Sequence, residues 1–343
     1  MTRLILTTDD SGAGCLKQAG IADIVIPFAF RFVCGPLPSE VQLADFLAER
    51  SAKHVSAGSH WLDNLKPARL GEAGRDIGFV EFCDRHEKIE LWIDPEPKDQ
   101  LILIWLLHYL RSHQNVVSKL GLVQANARIG NHTPEEVTAW PLPTVQIQHD
   151  HLVAASAAWR AYRAATPQDW FNLLDSDLNA LPQLGATVLA LLEELPTRDT
   201  GLGATEMRML ELISAGHIHP YDVFPGHQKP NERRVFSYWE VGALLDGLAH
   251  CPAPAVTGLD ERPFDLDMHD DRDRHQRYMR SSLALTELGK AILARADDFS
   301  RHNPIYRWWG GTELINDRLW RWDPARRALD QGWTGLADPT GDE

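Results

Sequence analysis

The sequence predicts an α/β protein with a mainly parallel sheet domain, an α-helical connector and a winged-helix-like α+β domain. Strand-like and helix-like segments alternate over residues 1–150, which favours a mainly parallel sheet. Residues 151–200 carry Ala- and aromatic-rich helical patterns, typical of a helical connector. Residues 201–297 hold three short helices, a strand pair and a closing helix, the order of a winged helix-turn-helix. Residues 298–343 form an aromatic tail.

Within residues 1–150, periodicity assigns the individual elements. β-Branched and apolar runs predict strands over 3–8, 23–30, 77–82, 88–93 and 116–123. Helical patterns cover 13–20, 39–54 and 98–112, and Ser39 marks the start of the second after a Gly-Pro breaker. Apolar residues nearly encircle the 98–112 helix, so we expect it to be buried against the sheet.

The later segments are assigned in the same way. Helices are predicted over 205–215, from Pro220, and over 236–249, followed by a β-like run over 277–285 and a last helix. Five of the 12 tryptophans follow residue 307. A solvated segment would not carry so many large rings, so we expect residues 303–323 to dock on the folded body.

The charge of the chain is acidic throughout, with a formal net charge of −14. Up to Asp150 there are 14 Lys and Arg against 19 Asp and Glu, and after it 20 against 29. A protein that binds duplex DNA needs a cationic surface to release counterions. The charge therefore argues against a nucleic-acid partner, although a local basic patch remains compatible with it.

Cysteine usage and the absence of targeting patterns indicate a cytoplasmic protein. The cysteines are too scattered for a metal-binding pair or a secreted disulfide framework: Cys15, Cys34, Cys83 and Cys251. No signal-peptide pattern follows Met1. The longest apolar stretch, residues 101–107, is far shorter than a membrane span, so we expect no membrane partner.

The first candidate site is the turn at residues 9–14, which follows the first strand and contains Asp10, Ser11, Gly12 and Gly14. Acidic and small residues at the carboxyl end of a first strand mark the place where open α/β sheets bind ligands. Small residues and a helix N-terminus suit a phosphate group, but neither named glycine-rich nucleotide motif is complete. The alternative is a structural turn in which Ser11 caps the helix.

The second candidate site follows the strand at 88–93. If that strand is parallel to the first, Asp94 and Glu96 lie at the same sheet edge as Asp10, with Gln100 close behind them. Convergent carboxylates can hold a divalent cation such as Mg²⁺ or divide acid and base roles, which makes the three acids candidate catalytic and metal-binding residues. The alternative is that Asp94 and Asp99 only stabilise a helix start.

Two further segments have a functional and a structural interpretation. In the tail, Arg307 and Trp308 either pack or form a lid over an anionic or planar ligand, where Arg307 or Arg31 supplies a counter-charge. Four arginines of the winged-helix-like region could touch DNA phosphates, but three aspartates are interleaved with them. A solvated, ion-paired loop is the favoured interpretation there.

Paired histidines such as His217 and His219 are interpreted as surface residues.

These segments together resemble the bacterial family called "domain of unknown function 1835". The resemblance rests on residues 8–14 (T-D-D-S-G-A-G), 35–38 (G-P-L-P) and 91–100, which contains L-W-I-D-P-E and D-Q. It rests also on the terminal R-W-W-G-G and W-R-W-D at 307–311 and 320–323. No activity is established for the family, so the resemblance implies fold and site placement only.

The chain departs from the family pattern at the candidate sites. Asp9 stands where the family has Gly, and Cys34 where it usually has Glu. Asp94 and Glu96 exchange the lengths of the family's two acids. Acidic character is kept after both strands, so the resemblance implies a carboxylate site.

The leading functional hypothesis is a small anionic, nucleotide-like ligand bound with a divalent metal at the carboxyl ends of the N-terminal strands. Any chemistry there would be metal-assisted transfer or hydrolysis at phosphorus. The alternative is a regulatory or adaptor protein whose winged-helix-like domain contacts DNA or a protein partner. A third interpretation is that the carboxylates only cap helices. The sequence does not decide whether the protein is an enzyme.

Overall fold

The chain divides into two units. The computed structural model describes residues 3–28, 30–54, 56, 58–63, 76–224 and 233–332. The first unit comprises residues 1–32, 37–162 and 175–187, and the second residues 33–36, 163–174 and 188–343. Over the described residues, the first unit holds a five-stranded sheet and the second holds helices with small two-stranded sheets.

Strands and helices alternate along the first unit. The strands are β1 (Arg3–Thr7), β2 (Ile24–Pro27), β3 (Lys88–Ile93), β4 (Leu120–Gln124) and β5 (Val145–Gln146). The helices are α1 (Asp10–Gln18), α2 (Glu40–Leu47), α3 (Phe79–Asp84), α4 (Pro97–Leu110), α5 (Gln114–Val117), α6 (Pro134–Ala139) and α7 (His149–Tyr162). Most of these helices therefore lie in the connections between successive parallel strands.

The sheet has the strand order β2-β1-β3-β4-β5. β1 pairs in parallel with β2 and with β3, and β3 pairs in parallel with β4, while β5 is antiparallel to β4. The predicted mainly parallel sheet is confirmed. The chain passes from β1 to β2 and then returns to the other side of β1 with β3. The strand order therefore reverses between β1 and β3, where open α/β sheets form a crevice at the carboxyl ends of the strands.

Helix α4 is buried on all sides, as the sequence predicts. Residues 101–107 are each at most 2% exposed. The ring centroid of Trp105 lies 4.6 Å from that of Phe30 and 5.6 Å from that of Phe32, and α7 packs along α4. Over the described residues, even the most apolar helices are too short or too polar to span a bilayer.

The predicted strand at 77–82 is wrong, because the structure has helix α3 there. Phe79, Phe82 and Cys83 are buried at helical spacing, while Glu81 faces solvent. The rings of Phe79 and Phe82 both pack on Trp61. A short apolar run is compatible with a strand and with one face of a helix, and here tertiary contacts decide in favour of the helix.

Helix α2 begins as predicted and ends earlier. Ser39 forms a capping box with Gln42. The helix ends at Leu47, not near residue 54, and its last carbonyl groups bond to imidazoles: His54 Nε2 lies 2.7 Å from Asp45 O and His60 Nε2 lies 2.9 Å from Ala48 O. These partners replace the next helical turn. The segment predicted as a strand from residue 116 starts as α5, and β4 begins at Leu120.

Short helices and short strands fill the rest of the chain. The helices are α8 (Gln168–Asn172), α9 (Leu184–Leu192), α10 (Ala204–Ser214), α11 (Pro220–Val223), α12 (Tyr238–Ala249), α13 (Leu266–Asp270), α14 (Arg272–Arg280), α15 (Glu287–Leu293) and α16 (Phe299–His302). The strands are β6 (Val256–Thr257), β7 (Ala284–Leu285), β8 (Tyr306–Trp309), β9 (Thr312–Ile315), β10 (Leu319–Asp323) and β11 (Ala328–Gly332).

The order α10-α11-α12-β6-β7-α15 is the one expected of a winged-helix-like module. β6 and β7 pair in antiparallel fashion, and α13 and α14 are inserted between them. The β-like run predicted from residue 277 is wrong over its first part, because Arg277 and Arg280 lie in α14. Asp271 starts that helix by accepting hydrogen bonds from the amides of Asp273 and Arg274.

Residues 306–332 form two antiparallel hairpins within the second unit. Trp309 Nε1 donates to Leu191 O at 2.7 Å, and the ring of Trp322 is buried. Arg321 is also buried, and its guanidinium lies 2.9 Å from the carboxylate of Asp298 and donates to Thr197 O at 2.8 Å. A buried ion pair with further hydrogen bonds thus fixes β10 in this unit.

We predict that Arg321→Met destabilises the protein by about 3 kcal/mol, because it leaves Asp298 as an uncompensated buried charge. The matched control is Arg318→Met, which removes an exposed pair with Glu313 and should cost less than about 1 kcal/mol. Urea unfolding of both variants measures the two values. Equal losses would show that the Arg321 pair contributes no more than a surface pair.

Candidate functional site

Three neighbouring parallel strands deliver polar side chains to one edge of the sheet. Asp9 follows β1, Asp94 directly follows β3, and Arg128 lies in the segment after β4. The segments are in contact, because Ile129 N donates to Asp94 Oδ1 at 2.8 Å and Arg128 Nη2 lies 2.9 Å from Asp9 Oδ2. The two acid-bearing turns after β1 and β3 therefore meet, where the strand order reverses.

The centre of the site is a group of three carboxylates, Asp94, Glu96 and Asp99, which we call the acidic group. One carboxylate oxygen from each residue lies within 4.8 Å of the others. All three residues are at most 9% exposed. Over the described residues, no histidine or cysteine belongs to a group of this kind.

The sequence D-P-E-P-K-D places these acids at the start of α4. Pro97 occupies the first turn, where its missing amide hydrogen has no cost. Glu96 is the N-cap residue, and its carbonyl oxygen accepts hydrogen bonds from the amides of Asp99 and Gln100. The fixed turn directs Glu96 and Asp99 toward Asp94. Acidic residues are also favoured there by the helix dipole.

Two cations compensate these charges. Lys98 Nζ lies 2.8 Å from both carboxylate oxygens of Asp99 and 3.6 Å from Glu96 Oε2. The guanidinium of Arg128 pairs with Asp9 and lies 4.0 Å from Glu96 Oε2. Burying one carboxylate without such partners would be costly, so the cations are a condition of this arrangement.

The environment drives the pKa values of Asp9 and Asp94 apart. Burial disfavours the ionised form of Asp9, but the Gly12 amide and the Arg128 guanidinium bring its pKa below the ordinary value. Burial, together with the charges of Asp9 and Glu96, raises the pKa of Asp94 to about 7 despite the hydrogen bond from Ile129 N. Near neutral pH, Asp9 is ionised and Asp94 is divided between both forms.

Asp99 and Lys98 form a tight pair in the same site. Burial raises the pKa of Asp99, and the Lys98 ammonium opposes that rise. Burial also disfavours the charge of Lys98, but Asp99 and Glu96 raise its pKa above the ordinary value. Lys98 is therefore a cation at neutral pH inside the acidic group.

The structure separates the acids predicted from sequence. Asp94 and Glu96 belong to the acidic group, whereas Asp10 is the first residue of α1, is exposed, and is not a member. The neighbouring acid Asp9 is the N-cap of α1 and makes the contact with Arg128. Gln100 is buried and donates to the carbonyl of Asp94 at 2.8 Å.

The turn residues Ser11, Gly12 and Gly14 have different roles. Ser11 is exposed and donates to Asp9 Oδ1 at 3.0 Å. Gly12 N donates to the same oxygen at 2.5 Å, and a Cβ on Gly12 would lie 3.0 Å from it, so the close approach favours glycine. A Cβ on Gly14 would meet no atom within 4 Å, so packing does not require glycine there.

The remaining predicted ligand residues are Arg31, Arg307 and Trp308. Arg31 is exposed in the first unit. Arg307 and Trp308 lie on β8 in the second unit, where Arg307 Nη1 donates to Glu206 Oε2 at 3.0 Å and Trp308 is half-buried. The pair with Glu206 gives Arg307 a structural partner inside its own unit.

The sequence places Asp9 in the candidate turn but not among the site carboxylates, and it does not predict Arg128 as a site residue. For Asp9 the signal is its place just before α1, because aspartate is among the residues that most favour the N-cap position. For Arg128 the signal is weaker: it is a lone cation after a further parallel strand, and no motif surrounds it. Gly130 allows the close packing that places this segment, since a Cβ there would lie 2.4 Å from Ser11 Oγ.

No protein-family model matches this chain, and no curated protein is significantly similar to it. The donor atoms of the site indicate which ligands it suits. Carboxylate oxygens are the ligands that Mg²⁺ prefers in proteins. A guanidinium suits phosphoryl or carboxylate groups through paired hydrogen bonds. The site combines both kinds of group at one edge of the sheet.

We predict that Asp94→Asn stabilises the protein at pH 8 and not at pH 4. The pKa of Asp94 rises from 3.8 to about 7 on folding, so the folded state binds more protons between these values. Stability is then lost as pH rises through this window, by about 4 kcal/mol for the full shift. Asparagine does not ionise and escapes this loss. Urea unfolding at both pH values measures the difference in stability between the variant and wild type. A variant less stable than wild type at pH 8 contradicts the raised pKa of Asp94.

Proposed function

We propose that the first unit binds a small anionic ligand together with a divalent cation such as Mg²⁺ at the carboxyl ends of β1, β3 and β4. The observation that supports it is the convergence of Asp94, Glu96 and Asp99 within 4.8 Å, beside Arg128. Ligand binding at this reversal of strand order is the general rule for open α/β sheets. The acidic group would supply the cation ligands.

Cation binding at this site would require Lys98 to leave. Its ammonium pairs with both oxygens of Asp99, so it competes with an incoming metal for the same ligands. A released Lys98 would add a second positive charge near Arg128 for the anion. Mg²⁺ keeps several of its waters, so the acidic group need not surround it completely.

Arg128 is the counter-charge that we propose for the anion. Its side chain is 25% exposed and lies beside the Ser11 hydroxyl, 3.4 Å away. These donors and a metal fit a phosphoryl group, as in a nucleotide-like ligand. With a divalent cation bound, such a site would support metal-assisted transfer or hydrolysis at phosphorus, because the cation would polarise a phosphoryl oxygen.

The alternative function, DNA binding by the winged-helix-like module, has little support. Its third helix, α12, stands where a recognition helix would lie and contains Glu240 and Asp246 but no Lys or Arg. In α14, Arg274 and Arg277 are paired with Glu261. A protein partner for this module is the remaining version of the alternative.

Two further expectations belong to the proposal. We keep membership of the bacterial "domain of unknown function 1835" family as a proposal, since its motif positions 94–100 and 8–14 coincide with the site. We also propose a cytoplasmic location, because all four cysteines are free thiols.

Calorimetry tests the proposed function with Mg²⁺ and then with ADP in the presence of Mg²⁺. We predict that wild type binds both and that Asp94→Asn weakens Mg²⁺ binding at least about tenfold. The matched control is Asp10→Asn, which removes an exposed acid of the same turn and should retain wild-type affinity. If wild type binds neither ligand, the proposal is rejected. If Asp10→Asn removes binding and Asp94→Asn does not, the site lies at Asp10.

We predict that Lys98→Met tightens Mn²⁺ binding about tenfold, because the competing ammonium is removed. The variant leaves Asp99 unpaired, so its stability without metal should fall and its melting temperature should rise more with Mn²⁺ than that of wild type. Thermal unfolding across a Mn²⁺ titration measures both effects. Weaker Mn²⁺ binding by Lys98→Met would mean that the lysine supports the site and does not compete for it.

A further inference from the structure

Three glutamine side chains form a hydrogen-bonded chain behind the acidic group. Gln124 Nε2 donates to Gln100 Oε1 at 3.3 Å, and Gln100 Nε2 donates to Gln183 Oε1 at 2.7 Å. Gln183 Nε2 then donates to Ala125 O at 2.6 Å. We call these residues the glutamine chain. It connects the ends of β3 and β4 with α4 and with the residue that precedes α9.

The orientation of the three amide groups in the glutamine chain is determined by their hydrogen-bond partners. Gln100 Nε2 also donates to Asp94 O, a carbonyl that can only accept. Rotating the Gln100 amide by half a turn would place its oxygen against that carbonyl and against Gln183 Oε1. Because Gln100 is buried, such a loss would not be compensated by water. All three amides therefore hold a single orientation.

The last amide of the glutamine chain, that of Gln183, binds the segment 125–129, which carries Arg128. Ala125 O is bound by Gln183, and four residues later Ile129 N donates to Asp94 Oδ1. Between these two anchored points, Arg128 reaches Asp9. Loss of the Gln183 bond would remove the side-chain anchor from Ala125 O, while Ala125 N would still donate to Ile93 O at 2.9 Å.

We propose that Gln183 is a positioning residue for the candidate site: it holds residues 125–129 so that the Ile129 amide and the Arg128 guanidinium reach Asp94 and Asp9. Gln183 lies 54 or more residues from all of these in the sequence, and its side-chain bonds in the glutamine chain join it to Gln100 and to Ala125 O, not to a carboxylate of the acidic group. Its importance for ligand binding rests on the proposed function, whereas its hold on the segment does not.

The test compares Gln183→Met with the control Leu184→Ala. Methionine keeps the length of the side chain and carries no charge, but it neither donates to Ala125 O nor accepts from Gln100. Leu184 is fully buried, so its truncation lowers stability without touching the glutamine chain. Amide hydrogen exchange of Ile129 is measured relative to Leu91, a residue in the centre of the sheet, and Mn²⁺ affinity is measured in parallel.

We expect Gln183→Met to raise the Ile129-to-Leu91 exchange ratio at least about tenfold and to weaken Mn²⁺ binding about tenfold. Leu184→Ala should leave both unchanged. An unchanged exchange ratio in Gln183→Met, or an equal rise in Leu184→Ala, overturns the positioning role. If wild type binds no Mn²⁺ and the ratio still rises only in Gln183→Met, the proposed function fails and the role of Gln183 in holding the segment stands.

Discussion

The parallel pairing of β1 with β3 and of β3 with β4 is the constraint on which the site depends. It brings the turn after β1, the start of α4 and the segment after β4 to one edge of the sheet. Acids that are about 85 residues apart in the chain thereby come within reach of one another and of Arg128. The apolar core around α4 supports this pairing, because it buries the helix whose first turn presents Glu96 and Asp99.

Electrostatic balance then decides what these acids can do. The Gly12 amide and the Arg128 guanidinium lower the pKa of Asp9, whereas burial and neighbouring charges raise the pKa of Asp94 to about 7. Lys98 neutralises part of the acidic group from inside. If a divalent cation replaced the ammonium, as we propose, one ion of higher charge would serve all three carboxylates.

The sequence predicts the parts of the fold that have strong local signals. Alternation located the strands β1 and β3, the apolar pattern located α4, and Ser39 located the start of α2, since each reflects backbone geometry or a cap. The sequence does not predict helix α3, because Phe79 and Phe82 show helical spacing only over a short run. For the site, Asp94 and Glu96 are predicted from their position just after a predicted strand. The same reasoning chose Asp10 over Asp9, because adjacent acids differ only in which one adopts the extended N-cap conformation. The contact between Arg128 and Asp9 depends on tertiary packing, and no local sequence pattern predicts it.

The central claim is that the acidic group binds a divalent cation. Its most direct test is anomalous diffraction from crystals of the full chain grown with Mn²⁺. The account predicts one strong anomalous peak in contact with oxygens of Asp94, Glu96 and Asp99, with Lys98 Nζ withdrawn from Asp99. A map without a peak there, in which Lys98 still pairs with Asp99, would contradict it.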